Sequence, residues 1–417
     1  MPVLLEKDRN IKLPAMKRVR QIFESKHTEN VRQAIRKELL KEEIRERICP
    51  GETVAIAVGS RGISKIDEMV IELVAWTKEQ GADPFIVPAM GSHGRGTAEG
   101  CIEILAEYGI TEETTGVPIK ASEEVVELGK IHDRIKNTDR VTRVYMDQDA
   151  FEADKTILIN RIKPHTEFNG DVESGLCKLA TIGLGRHTGC TSLHDEGTIN
   201  FGTIIPAAAR VVFDKANIAF GIAIVENAYD ETMLVEAIPT EQIIEREKQL
   251  LVTARESMPS IGISPIDILI VEEIGKDISG IGMDPNVIGR FGPKAELLDI
   301  PEIGVIIALR LSKGSHGNAC GIGIADLTTR ELLSQMDFEA TYANTIACGC
   351  DYETEYIPLV MADEEEAIAA AVKMLNIKEP DTSRIVRIKN TANLTEMEVS
   401  EAIWPEVEAR NDRFCWE

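Results

Sequence analysis

Histidine and lysine side chains are the strongest candidates for chemistry in this chain of 417 residues, which holds only seven histidines. Histidine is the side chain that changes charge near neutral pH, so it suits proton transfer. His165 and His194 lie on either side of Lys178, which has the apolar neighbours Leu176, Cys177 and Leu179. A lysine in apolar surroundings can become a nucleophile or a covalent anchor. The alternative is that Lys178 extends to solvent and His165 forms an ordinary loop hydrogen bond.

Glycine-rich segments accompany these side chains. Gly170 and Gly175 precede Lys178, and glycines let the backbone approach a ligand closely. The start of the helix that follows can bind a phosphate group. A further histidine, His93, stands between glycines in Gly91-Ser92-His93-Gly94. Spacing also leaves a three-histidine zinc site open, although the sequence contains neither H-x-x-x-H nor H-E-x-x-H.

The charge balance limits the partners. With 46 Lys and Arg against 70 Asp and Glu, the net charge is -24. This charge argues against binding to nucleic acid or to an anionic membrane surface, while a local basic pocket for a small anion stays open. We find no apolar run of membrane-spanning length and no signal peptide, so we expect a cytoplasmic protein. Local positive charge could come from Arg61, Lys163, Arg186 and Arg290.

Three apolar runs predict buried strands that position these side chains. They are Thr53–Val58, Pro84–Val87 and Thr156–Asn160. Each run ends shortly before a segment with candidate residues. In an open α/β sheet, ligands bind at the carboxyl ends of the strands, so we expect these loops to form one site.

The segment from Ser257 to Pro265 is the best linker in the chain because it holds prolines, serines and a glycine. We therefore predict two α/β domains with largely parallel sheets and an active-site cleft between them. The first domain spans 1–262 and carries the catalytic histidines, and the second spans 263–417. A last helix at about 394–410 could pack back on the first domain.

Five segments, taken in order, resemble the nickel-pincer-nucleotide lactate racemases and their 2-hydroxyacid racemase and epimerase relatives. The resemblance covers residues 60–195 most closely. The segments are the arginine segment Gly59-Ser60-Arg61-Gly62, the histidine segment Gly91-Ser92-His93-Gly94, the pair Pro164-His165, the lysine segment Ser174-Gly175-Leu176-Cys177-Lys178, and His194.

The resemblance implies a role for each of these residues. Lys178 would carry the nickel-pincer nucleotide covalently, and His194 would ligate the nickel. His93 and His165 would be the two catalytic acid–base groups, and Arg61 would hold or polarise the substrate. The other residues predicted to border the cofactor are Ser60, Gly170, Ser174 and Gly175.

The implied activity is that of an isomerase acting on a 2-hydroxycarboxylic acid, through loss of hydride from C2 and its return to a 2-keto acid. The substrate would be lactate-like or a longer acid such as a sugar acid, because the second domain keeps no glutamine in the matching stretch. Host proteins that make the cofactor are expected partners, and an oligomer is possible. From the second domain we predict four substrate-binding residues, Lys276, Asn286, Arg290 and His316.

Two other functions stay open on the residues alone. A zinc-dependent hydrolase or lyase would use the histidine cluster and would keep its activity without Lys178. A non-catalytic two-domain protein would bind a small anion and close around it without turnover.

Overall fold

The computed structural model describes residues 3–60, 62–135, 138–291, 301–348 and 352–416. They form two compact units. The N-terminal unit is Glu24–Met258, and the C-terminal unit combines the chain up to Phe23 with the chain from Pro259 onward. The predicted first domain, 1–262, differs from the N-terminal unit mainly in the first 23 residues. The reason is strand pairing, because Met16–Gln21 pairs with Asn393–Ser400.

The strands of the described residues, in chain order, are β1 Met16–Gln21, β2 Thr53–Val58, β3 Asp83–Pro88, β4 Val125–Ile135, β5 Thr138–Asp147, β6 Lys155–Arg161, β7 Ile218–Glu226, β8 Thr232–Pro239, β9 Ile266–Ile274, β10 Ile303–Leu311, β11 Leu327–Thr329, β12 Leu359–Met361, β13 Ile385–Asn390, β14 Asn393–Ser400 and β15 Phe414–Cys415.

The α-helices of the same residues are α1 Glu6–Arg9, α2 Val31–Leu39, α3 Glu42–Arg45, α4 Ile66–Glu79, α5 Ala98–Glu107, α6 Glu112–Thr115, α7 Gln148–Glu152, α8 Leu176–Lys178, α9 Arg186–His194, α10 Phe201–Lys215, α11 Ile243–Ser257, α12 Pro285–Ile288, α13 Arg330–Gln335, α14 Phe338–Cys348, α15 Glu364–Met374 and α16 Trp404–Ala409. Within the described ranges, none of the helices is both long enough and apolar enough to cross a membrane.

The N-terminal unit is built on a five-stranded sheet in the order β3-β2-β6-β7-β8. The pairs from β3 to β7 are parallel, and β8 is antiparallel to β7. Side chains along β2 alternate between two cores: Ala55 and Ala57 face one, while Val54 and Ile56 face the other. Because both faces of the sheet are covered, its strands are near-continuous apolar runs, which is what made them recognisable in the sequence. Strands β4 and β5 form a separate antiparallel hairpin.

The C-terminal unit has an eight-stranded sheet in the order β12-β11-β10-β9-β13-β14-β1-β15. The five strands from β12 to β13 are parallel neighbours, and the last three join antiparallel. Both units are therefore α/β with largely parallel sheets, and the predicted fold class is confirmed.

The helix predicted at about 394–410 is wrong in its first half. Asn393–Ser400 is strand β14, and only Trp404–Ala409 is helical. The spacing of Leu394, Met397 and Val407 allowed a helix, but pairing with β1 on one side and β13 on the other makes the first half a strand. The segment belongs to the C-terminal unit.

Candidate functional site

Three neighbouring parallel strands of the N-terminal unit end beside the candidate residues. Strand β2 lies between β3 and β6. Ser60 follows β2, His93 follows β3 and His165 follows β6. The carboxyl ends of parallel strands share one edge of the sheet, so these loops meet there, as the sequence predicts for open α/β sheets. Arg61, the predicted substrate residue in the first of these loops, lies outside the described residues.

Lys178 and His165 contact each other directly. Lys178 Nζ lies 2.5 Å from His165 Nε2, and both side chains are half-buried. Lys178 is the last residue of α8 and is followed by a π-helical turn, Leu179–Gly183. Such turns are rare and often mark functional sites, because they re-aim side chains within a helix. The structure therefore brings together two residues that stand thirteen positions apart in the chain.

The protonation of this pair follows from its hydrogen bonds. The backbone N–H of Glu167 donates to His165 Nδ1 over 3.0 Å, so that nitrogen carries a lone pair. The neutral ring then has its proton on Nε2, the atom that faces Lys178. A ring whose two nitrogens both accepted hydrogen bonds would be an anion, so Nε2 is the donor of the contact. The contact consequently favours the neutral amine of Lys178 over the ammonium form.

Glu173 fixes the loop that carries His165. Its carboxylate is buried and accepts the backbone N–H groups of His165 at 2.6 Å and Gly170 at 2.9 Å. Arg255 of α11 pairs with the same carboxylate. Burial raises the pKa of Glu173 above its ordinary value, although the hydrogen bonds from His165 and Gly170 and the charge of Arg255 counteract it.

His194 forms a second group with Cys190, one turn earlier on α9. His194 Nδ1 lies 2.8 Å from the Cys190 carbonyl oxygen and 3.4 Å from the Cys190 sulfur. When Nδ1–H donates to the carbonyl, the lone pair of His194 lies on Nε2, which is the form that binds a metal ion. Burial alone would lower the pKa of His194, but the Cys190 thiol and carbonyl raise it above its ordinary value.

Burial raises the pKa of the Cys190 thiol, but the contacts with His194 and Ser92 outweigh it and leave this pKa below its ordinary value. Cys190 was not among the residues predicted from the sequence, although its spacing of four residues from His194 places the two on one face of a helix.

Two phenylalanines connect the His165 and His194 groups. The Phe168 ring centroid lies 4.4 Å from that of His165 and 5.5 Å from that of Phe201. Phe201 in turn lies 4.9 Å from the His194 ring. Both phenylalanines are buried, so they form a rigid apolar wall between the two imidazoles. Sequence patterns did not distinguish either ring from ordinary core residues.

His93 has a different partner. Its Nδ1 contacts the hydroxyl of Ser60, and the Ser60 carbonyl accepts a hydrogen bond from the Tyr108 hydroxyl at 2.8 Å. The loop of His93 is joined to the π-helical turn, because the Gly91 N–H donates to the Gly183 carbonyl over 3.0 Å. Ser60, predicted to border the cofactor, thus contacts a predicted acid–base histidine.

The two glycines predicted to admit a ligand stand close to parts of the protein itself. A Cβ atom on Gly170 would lie 2.8 Å from Gly202 Cα, and one on Gly175 would lie 2.2 Å from Glu247 Oε1. Ser174 pairs through its backbone with Lys163 in an antiparallel bridge. Cofactor contacts of Gly170, Ser174 and Gly175 stay predictions.

Arg186 does not supply the local positive charge that we expected. Its side chain is buried, lies 3.6 Å from Asp147 and donates to the Pro88 carbonyl. Burial raises the pKa of Asp147 to about 6, and the Arg186 charge only partly counteracts this. Arg186 therefore joins β3 to β5 and stabilises the scaffold.

In the C-terminal unit, Lys276 and His316 lie on loops that contact each other. They follow the neighbouring parallel strands β9 and β10, and the Lys276 N–H donates to Ser315 Oγ over 2.9 Å. His316 has a left-handed backbone with φ of 49°. The Lys276 ammonium donates to the Gly280 carbonyl at 2.5 Å.

The other two predicted substrate residues make structural contacts in the C-terminal unit. The Asn286 side chain donates to Asp284 Oδ1 over 3.0 Å at the start of α12. Arg290 forms an ion pair with Asp326 at 2.8 Å and contacts the Ile303 carbonyl, and only 12% of its side chain is exposed. These contacts favour a structural role for Arg290, while substrate binding by all four residues stays a prediction.

Within the ranges that the structure describes, no group of three or more His, Cys, Asp or Glu side chains is arranged to hold a metal ion.

Comparison with known proteins identifies the first part of the chain. Residues 2–200 match the family model described as the lactate racemase N-terminal domain. A comparison with curated proteins finds no match.

Two solved structures share the fold. The lactate racemase apoprotein from Thermoanaerobacterium thermosaccharolyticum is 14% identical, covers 94% of this chain and 96% of its own length, and aligns with a TM-score of 0.51. A structural-genomics protein from Thermotoga maritima is 16% identical, with coverages of 87% and 97% and a TM-score of 0.52. At these identities the likeness shows the fold. Residues 2–200 therefore match the N-terminal domain of lactate racemases, and the family resemblance predicted from the motifs is confirmed over this part of the chain.

Proposed function

We propose that this protein is an isomerase that racemises or epimerises a 2-hydroxycarboxylic acid, with a nickel-pincer nucleotide attached to Lys178. The observation that carries the proposal is the contact between Lys178 and His165, with His194 joined to it by two aromatic rings. The match of residues 2–200 to the lactate racemase N-terminal domain supports the same reading.

Inversion at C2 of a 2-hydroxyacid requires the C2 hydrogen to leave one face and return to the other. When bound, the pincer nucleotide supplies the hydride acceptor that protein side chains lack. The hydroxyl proton has to move in the same event. The protein therefore has to supply one group that takes a proton and one that returns it.

Lys178 fits a covalent anchor. The contact from His165 Nε2 favours its neutral amine, and only the neutral amine has the lone pair that forms a bond to an acyl or thioacyl carbon. Its position at the end of α8, directly before the π-helical turn and among buried residues, keeps this amine in one place.

His194 fits a nickel ligand. Its Nδ1–H is directed to the Cys190 carbonyl, which orients the ring and leaves Nε2 as the ligand atom. Imidazole suits nickel, and the Cys190 thiol contacts the Nδ1 side of the ring, so it does not occupy Nε2.

His93 and His165 fit complementary acid–base roles. If the Ser60 hydroxyl accepts from His93 Nδ1–H, the lone pair of His93 lies on Nε2, which accepts the substrate hydroxyl proton. His165 is the complementary group: as the imidazolium it returns a proton from Nε2 and becomes the neutral ring with its proton on Nδ1, which requires the Glu167 N–H to release Nδ1. In the reverse direction the two histidines exchange roles. We propose that Arg61 binds the substrate carboxylate.

Intact-mass spectrometry with nickel analysis tests the proposal. The protein is produced in cells that also make the pincer nucleotide, together with Lys178→Ala and the control Lys215→Ala, which alters an exposed lysine at the end of α10. We expect a nucleotide-sized adduct and about one nickel per chain in the wild type and in the control, and neither in Lys178→Ala.

A panel of 2-hydroxyacids from lactate to sugar acids is then followed by optical rotation to find the substrate. An unmodified wild-type chain without nickel, beside a lactate racemase that is loaded in the same cells, would overturn the proposal.

A further inference from the structure

Helix α11 contacts both segments that carry the Lys178–His165 pair. Glu247 and Arg255 lie on this helix about two turns apart. Glu247 contacts the start of α8, and Arg255 contacts the loop between β6 and α8. Neither residue belongs to the group of candidates that sequence motifs identify.

Glu247 caps the short helix that ends at Lys178. Its side chain is fully buried, and Oε2 accepts the backbone N–H of Cys177 over 2.9 Å. The residue at the N-cap position of α8 is Gly175, which has no side chain to accept these N–H groups. The cap that most helices receive from a local Ser, Thr or Asp therefore comes from a different element.

Gly175 is the residue that lets Glu247 approach. A Cβ atom at this position would lie 2.2 Å from Glu247 Oε1 and 2.6 Å from its carboxyl carbon. From strand β6, the Asn160 amide donates to the Gly175 carbonyl over 2.9 Å. The turn before Lys178 is thus held between the sheet and α11, three residues from the reactive amine.

Arg255 holds the other member of the pair through Glu173. The guanidinium pairs with the Glu173 carboxylate, whose other oxygen accepts the His165 N–H. It also donates to the Asn169 side chain at 2.7 Å. The Glu173 side chain is almost fully buried, so without Arg255 its charge would lack a compensating cation.

We propose that α11 is the positioning element of the Lys178–His165 pair. Glu247 fixes the turn that ends at Lys178, and Arg255, acting through Glu173, fixes the loop that begins with His165. This inference rests on the proposed function in one respect: its expected effect is on the rate at which Lys178 acquires the cofactor adduct. The positions of the two side chains can be measured independently of the cofactor.

The test uses full-length variants. Glu247→Leu removes the acceptor at similar volume, and Glu247→Gln restores an oxygen acceptor without the charge. Arg255→Gln removes the cation from Glu173, and its side chain is 41% exposed, so this variant retains the core. Glu245→Gln is the matched control, because Glu245 is an exposed acid on the same helix that contacts only Lys248 among the ion pairs described.

Two readouts are followed. The first is the rate of adduct formation at Lys178, measured by intact mass. The second is the ring nitrogen resonances of His165 in the apoprotein, assigned with His165→Gln. We expect adduct formation to slow about tenfold or more in Glu247→Leu and Arg255→Gln, because a small displacement of reacting groups has effects of this size.

In the same two variants, the Nε2-protonated form of His165 should give way to a mixture of tautomers. Glu247→Gln and Glu245→Gln should behave as the wild type in both readouts.

The outcomes separate this inference from the proposed function. If the wild type forms no adduct, the proposed function is wrong. The His165 resonances alone then test whether α11 positions the Lys178–His165 pair. If Glu247→Leu and Arg255→Gln load at the wild-type rate and leave the His165 resonances unchanged, the inference is wrong. Should Glu247→Leu fail to fold, Arg255→Gln decides it.

Discussion

At the scale of single residues, the site depends on which nitrogen of each imidazole bears the proton. The Glu167 amide settles this for His165, and the Cys190 carbonyl settles it for His194. In both histidines the tautomer is determined by a backbone group, and backbone groups do not change protonation near neutral pH. The tautomers are therefore set by the local backbone, and side-chain changes that leave this backbone in place should leave them intact.

The buried ion pair of Arg186 and Asp147 yields a prediction about stability. Arg186→Ala leaves a fully buried carboxylate without its cation, so the free energy of unfolding should fall by roughly 3–5 kcal/mol at pH 8. At pH 5 the loss should be smaller, because Asp147, with a pKa of about 6, is then largely protonated. Urea unfolding followed by the fluorescence of Trp76, which is buried in the same unit, measures both values once Trp404 and Trp416 of the C-terminal unit are replaced by phenylalanine.

Arg95→Ala is the control for this prediction. Arg95 pairs with Glu103 at the surface, where both side chains are mostly exposed, and such pairs contribute little. Equal losses for Arg186→Ala at both pH values would contradict the role given to Asp147.

At the scale of secondary-structure elements, α11 places a buried acid at the start of α8. Burial raises the pKa of Glu247 to about 7, against an ordinary value of 4.5, and the N–H groups of Cys177 and Leu176 only partly oppose it. Between these two values the folded protein binds more protons than the unfolded chain. The stabilising contribution is therefore present below the lower value and is lost as the pH rises through 7.

Glu247→Gln should remove this dependence. We expect the wild type to lose up to about 3 kcal/mol of unfolding free energy between pH 5 and pH 8 through this group, and the variant to lose correspondingly less. Urea unfolding at four pH values measures the difference. Parallel curves for the two proteins would show that Glu247 does not titrate in this range.

The secondary-structure elements also show which parts of the fold and of the site could be predicted from the sequence. Strands β2, β3 and β6 were recognisable because they are buried on both faces, and the motifs after them therefore fell at one sheet edge. Glu247 was not recognisable, because an acid in a long amphipathic helix looks like any exposed charge until the fold buries it. Strand β14 was missed for a related reason: its partner β1 stands almost the whole chain away, and no local pattern reveals a pairing of that range.

At the scale of the whole molecule, the C-terminal unit depends on the first strand of the chain. Val19 of β1 is buried against the core of that unit and stands opposite Met397 of β14. Val19→Ala should lower the unfolding free energy of the C-terminal unit by about 2 kcal/mol. Arg20→Ala, an exposed neighbour on the same strand, should have little effect.

Differential scanning calorimetry can follow the two units, and Trp76 fluorescence reports the N-terminal unit in the same background without Trp404 and Trp416. A loss of stability confined to the Trp76 signal would contradict the assignment of β1 to the C-terminal unit.

The pairing of β1 with β14 also sets an order on biosynthesis. Gln21 leaves the ribosome early, but Asn393 and the rest of its partner strand are made some 370 residues later, which takes roughly 20–75 s at ordinary elongation rates. All strands of the N-terminal sheet are complete by Pro239, well before that point. The nascent chain can thus hold a finished N-terminal unit while β1 stays unpaired until β14 has been made.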